Sequence, residues 1–166
     1  MSDDEREPER LQQPLQRDAP VRLTLLLADS AQASPDAKVH MLGGGWTTTL
    51  APVAAQMAIA GTVSVDWDAT NERHRLKVQL VDGDGAPVPV QTPAGEQPWQ
   101  IESAFECGRP PGFPRGMAIG VPLALNFIRP PLPPGPYAFV VEVNDQPAAR
   151  LPFQAVAAPT GVPPQS

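Results

Sequence analysis

Side chains that do chemistry are scarce in this chain. It has one cysteine, Cys107, so no internal disulfide framework can form, and a lone thiol agrees with a reducing compartment. Its two histidines, His40 and His74, leave no clustered His, Cys or carboxylate set at metal-ligand spacing. Basic residues number 12 against 18 acidic ones. That balance argues against nucleic acid or an anionic membrane as the main partner, because both call for a basic patch. No apolar run approaches the length of a membrane span, and the N-terminus lacks an apolar core flanked by basic residues, so the expected location is the cytoplasm. Helical periodicity is also missing, and no internal repeat points to a solenoid or propeller.

Proline and glycine are plentiful, at 23 and 13 residues, and they gather in loops and near the termini. Residues 1–19 are acidic and interrupted by Pro8 and Pro14, which predicts a disordered tail. Residues 20–156 are expected to form one β-sandwich domain, and residues 157–166 a Pro-rich tail.

Apolar residues between the turns alternate with polar ones, the two-residue period of half-buried strands. Val21–Asp29 reads as a central strand covered on both faces, Ser30–Asp36 as a loop, Lys38–Leu42 as a short strand, and Thr47–Thr49 as strand. Asp82–Gly85 predicts an odd-numbered turn with a left-handed glycine, and Thr92–Pro98 a loop. Further strands are expected around Trp99–Cys107, Met117–Phe127, Tyr137–Val143 and Leu151–Ala155, with Pro122 marking an edge or a bulge. The sum is an all-β fold, an antiparallel β-sandwich of about eight or nine strands, immunoglobulin-like in outline, with a β-barrel as the alternative.

The stretch Ala55–Val81 reads as a hairpin. Met57, Ile59, Val63, Val65 and Trp67 form the inner face of one arm, and Leu76, Val78 and Leu80 that of the other. Placing Thr70 and Asn71 at the tip sets Val65 opposite Leu76, Asp66 opposite Arg75, Asp68 opposite Arg73, and His74 opposite Trp67.

The blocks LLLADSAQ from Leu25, KVHMLGGGWTTT from Lys38, VDWDATNERHRLKVQLVDGDGAPV from Val65, FECGRPPGFPRG from Phe105 and LPPGPYAFVVEVND from Leu132 carry a resemblance. Their order resembles that of an uncharacterised, mostly actinobacterial family of all-β proteins, over most of Val21–Val156. That family implies no activity and lends no catalytic residue.

No catalytic residues, cofactor or metal ligands are predicted. Asp82 and Asp84 lack the bidentate glutamate of a calcium loop, and Gly43–Gly45 lacks the lysine and helix of a phosphate loop. Cys107 alternates as an inward strand residue, and His40 and His74 are the only bases on offer. The candidate ligand or partner surface comprises His40, Gly43, Gly44, Gly45, Trp46, Arg109 and Arg129, the two arginines lying in or beside the proline segments GRPPGFPRG and RPPLPPGP. The expected function is a non-enzymatic protein interaction or assembly module, with another protein as partner. The alternative is a small-molecule or carbohydrate-binding sandwich that uses Trp46, Trp99 or Tyr137 as a stacking surface.

Overall fold

A computed structural model describes residues 19–159, so the expected tails fall almost wholly outside the described residues. The chain forms β1 (Val21–Ala28), β2 (Ser30–Ala33), β3 (Val39–Leu42), β4 (Thr48–Ala51), β5 (Ala55–Val65), β6 (Arg73–Asp82), β7 (Pro89–Thr92), β8 (Gly95–Pro98), β9 (Gln100–Glu106), β10 (Ile119–Arg129), β11 (Gly135–Val143) and β12 (Gln146–Ala157). Eight of these strands build two sheets, ordered β1-β5-β10 and β4-β12-β11-β6-β9. All ladders are antiparallel except β4 with β12. Met57, Ile59, Val63 and Val65 of β5 share one buried core with Leu76, Val78 and Leu80 of β6 and Phe139 and Val141 of β11. The fold is the expected all-β sandwich, and no ladder among the described residues joins the two sheets into a closed barrel.

The expected β5–β6 hairpin does not form. β5 pairs with β1 and β10, whereas β6 pairs with β11 and β9. The chain crosses from one sheet to the other through a 3₁₀ turn at Trp67–Ala69. Alternation survives because each strand turns its inner face to the same core, one from either side. The neighbours are different: Val65 lies between Val21 and Ile119, and Leu76 between Val143 and Ser103. Asp66 instead meets Arg22 at 2.8 Å, Arg75 pairs with Asp145, and Arg73 sits opposite Glu106. His74 is buried, but its ring packs on Phe105 with centroids 5.2 Å apart, not on Trp67. Asn144 Oδ1 accepts the Arg75 N–H, so the Asn144 amide nitrogen faces His74 Nδ1 at 3.0 Å. His74 Nε2 then carries the proton and donates to the Ala69 carbonyl, 2.8 Å away.

β1 is an edge strand, not the central one expected, and Leu26 on its outer face is 47% exposed. The strand covered on both faces is β5, where Ala58 and Ala60 on the outer side are fully buried. The small side chains admit the β2–β3 ribbon, which contacts both β5 and β10. Asn126 of β10 fastens it: Oδ1 accepts the Ala31 N–H at 3.0 Å and Nδ2 donates to the Ala31 carbonyl at 2.8 Å. Ser30–Ala33 and Gly95–Pro98, expected as loops, are therefore strands of two short ribbons. Neither lies in a core-forming sheet, and neither SAQA nor GEQP carries a large apolar side chain to mark an inner face. β10 is an edge, as Pro122 suggested, and the Val81–Pro87 bridge encloses residues 82–86 with Gly85 at φ 81°.

Gly61, at φ 157° in the middle of β5, requires its lack of a side chain. A Cβ there would overlap the Thr24 carbonyl oxygen of β1.

Candidate functional sites at the edges of the sandwich

The singled-out residues do not form one site. His40 is exposed on β3 opposite Gln32. Gly45 closes the turn after β3, donating its N–H to the Leu27 carbonyl at 2.7 Å, and Gly44 precedes it. Arg109 braces the 3₁₀ turn: Nε donates to Thr70 Oγ1 at 2.6 Å and Nη2 to the Trp67 carbonyl at 3.0 Å. Arg129, far from being a surface group, is wholly buried. Its Nη1 donates to the Pro130 carbonyl, and Nη2 reaches the Leu50 and Val53 carbonyls and Thr49 Oγ1 at 3.2, 2.9 and 3.5 Å. Burial pulls its pKa down, with Tyr137 acting the other way. Cys107 is buried, and burial pushes its thiol pKa up, away from the nucleophilic thiolate.

Two concavities flank the sheets. The larger, a groove of about 550 Å³, runs between β1 and the first half of β12 and is lined by Val21, Leu23, Leu25, Ala149, Arg150 and Leu151 among others. Its character follows from strand register. Asp66 donates its N–H to the Pro20 carbonyl, and position 66 is the register partner of position 20, so even-numbered β1 residues bond to β5. The odd residues Val21, Leu23 and Leu25 consequently turn their N–H and C=O groups to the other side, as Leu27 does in accepting from Gly45. Among the described residues nothing bonds those groups at Val21, Leu23 and Leu25. Beyond the groove β12 is protected, whereas Arg150 within it lies in the same outward phase. Gln154 donates its N–H away from β11, to the Thr47 carbonyl, and Pro152 occupies the same phase without an N–H to offer.

The smaller cavity, about 260 Å³, is bounded by Asp29, Gly43, Trp46, Thr48, Thr49 and Gln56 together with Ala55 and Met57. It joins Gly43 and Trp46 to groups that sequence reading passed over, because Asp29, Thr48, Thr49 and Gln56 come from three strand ends and carry no motif. Thr47–Thr49 directly after Trp46 was the one local signal. Arg129 touches this site through Thr49. Trp99 instead packs among Phe127 and Phe139, and Tyr137 donates its hydroxyl to the Pro133 carbonyl. No group of three His, Cys, Asp or Glu residues among those described is placed to hold a metal ion, and no described helix is long and apolar enough to cross a membrane.

No curated protein matches the sequence. A family model does, over residues 23–156, from the second residue past the start of β1 almost to the end of β12. The chain belongs to DUF6941, a family of unknown function.

Proposed function

We propose that this domain is a non-enzymatic protein interaction module that accepts an extended segment of another protein as an added strand on β1. The observation that carries this reading is the open backbone edge of Val21, Leu23 and Leu25 along a 550 Å³ groove. An unpaired edge of this kind is a template for strand addition, in which main-chain bonds give affinity and alternate side-chain sites give specificity. The open stretch of five residues spans roughly 16 Å at the rise of an extended chain.

Side chains of the incoming strand would alternate between two environments. Those turned inward meet Leu25, Ala149 and Leu151, which favours small and medium apolar groups. Those turned outward lie near Arg22 and Arg150; Arg150 has no ion-pair partner among the described residues, which favours an acid. The partner segment is accordingly one of alternating apolar and acidic residues. A reducing, cytoplasmic setting suits a chain whose one cysteine, Cys107, is buried and free.

Peptide display against the purified full-length protein tests the reading. Leu23→Pro removes an edge donor without touching the ladder to β5, and Arg150→Glu reverses the outer charge. Binders of the alternating class are expected to lose affinity for both variants, while binders indifferent to Leu23→Pro would overturn strand addition.

A further inference from the structure

The cavity beside Trp46 shares no lining residue with the β1 groove, so its role is separate from strand addition. We infer that it is a binding site for a neutral polyhydroxylated molecule the size of a single sugar ring, held by Asp29, Thr48, Thr49 and Gln56 against Trp46.

Three observations lead there. First, the polar side chains at the cavity do not satisfy one another. Asp29, Thr48 and Gln56 are exposed and make no side-chain hydrogen bond among the described residues, so ligand hydroxyls would replace water on them, and Thr49 Oγ1 accepts from Arg129. The Thr49 hydroxyl accepts there with one of its two lone pairs and keeps its proton to donate. Asp29 can only accept, and Thr48 and Gln56 can do both. A hydroxyl group, which donates and accepts, matches such a mixed set; an anion would face the Asp29 carboxylate.

Second, Asp29 is given its place by the glycine run. Gly43 lies at φ 63°, and a Cβ there would overlap the Asp29 carboxylate. Gly43 therefore leaves room for the Asp29 carboxylate in its present rotamer at the cavity wall.

Third, Trp46 presents carbon, not nitrogen. Its Nε1 is buried without an acceptor, one of two such side-chain atoms among the described residues, the other being Nε of the same Arg129 that supports Thr49. The ring is half-buried and stands at 80° to the ring of Phe153, centroids 6.0 Å apart. An aromatic surface beside hydroxyl-binding groups suits a ring with one C–H face and polar edges. At 260 Å³ the space falls short of the roughly 300–1,000 Å³ common for drug-sized ligands.

The test is a ligand-observed NMR titration of the full-length protein with glucose, galactose, mannose and myo-inositol, each to ~50 mM so that the millimolar range is covered. At least one is expected to bind saturably, and Asp29→Ala and Gln56→Ala, checked for an unchanged melting temperature, to weaken it at least tenfold. Leu23→Pro, in the separate groove, should leave binding as it was. Failure of all four compounds to bind, or binding that survives both alanine variants, overturns the site. Should Asp29→Ala lower the melting temperature, Gln56→Ala alone decides. None of these results bears on strand addition at β1.

Discussion

The guanidinium carbon of Arg109 lies 4.5 Å from the centroid of the Trp67 ring. The same arginine bonds the Trp67 carbonyl and the Thr70 hydroxyl, so one side chain from the loop after β9 holds both ends of the turn by which the chain changes sheets. Stacking of this kind is worth about 0.5–1 kcal/mol at an exposed site, and a hydrogen bond from a charged group about 1.5–3 kcal/mol. Urea unfolding of Arg109→Ala should show a loss of about 2 kcal/mol. Arg109→Lys, which cannot reproduce the planar fork, should recover less than half of it.

Arg129 should matter more. Its removal takes from the Leu50, Val53 and Pro130 carbonyls the donor that the buried guanidinium supplies. Arg129→Met keeps much of the volume and loses the bonds, so a destabilisation of about 3 kcal/mol is expected by chemical denaturation. A value near zero would show that these carbonyls find water instead.

Two glycines make a matched pair. Gly61→Ala forces a Cβ into the Thr24 carbonyl and should cost more than about 2 kcal/mol, or prevent folding. At Gly120 of β10 the same Cβ would rest 3.6 Å from the Thr62 methyl, an ordinary contact, and the alanine variant should be neutral or more stable by up to ~1 kcal/mol. Melting temperatures of the two variants decide it.

Alkali should unfold the domain through two groups. Burial raises the Cys107 thiol above its ordinary 9.0, and burial, then the charge of Asp82, raises the Tyr137 hydroxyl above its ordinary 10.0. Both are neutral when protonated, and a raised folded pKa means that the native state holds the proton longer. Their contribution is complete below the ordinary values and is lost as pH climbs from there through the raised ones. Stability measured from pH 8 to 11 should therefore fall, and Cys107→Ala with Tyr137→Phe should flatten the curve.

Fold class was legible in the sequence because burial on one face writes a two-residue period, and Met57 to Val65 and Leu76 to Leu80 follow it. Strand partnership was not. Parity says which face looks inward, never which neighbour lies alongside, and in place of the apparent match Asp66 pairs with Arg22 of β1 and Arg75 with Asp145 in the β11–β12 turn. The better clue was compositional: Ala58, Ala60 and Gly61 in one strand leave room for other chain to approach closely, as the β2–β3 ribbon and β1 do. Of the cavity, Gly43 and Trp46 could be read locally. Asp29 and Gln56 could not, because their meeting depends on where β1 ends and β5 begins.

The central place of β5 also sets when the domain can form. Its ladder to β10 joins Val65 to Ile119 and Ala55 to Arg129, partners 54 and 74 positions apart. At ribosomal speeds of about 5–20 residues per second, roughly 3–15 s separate the synthesis of the two strands. Until then β5 has only β1 beside it in its sheet, and its other backbone edge stays open to whatever chaperones the ribosome carries.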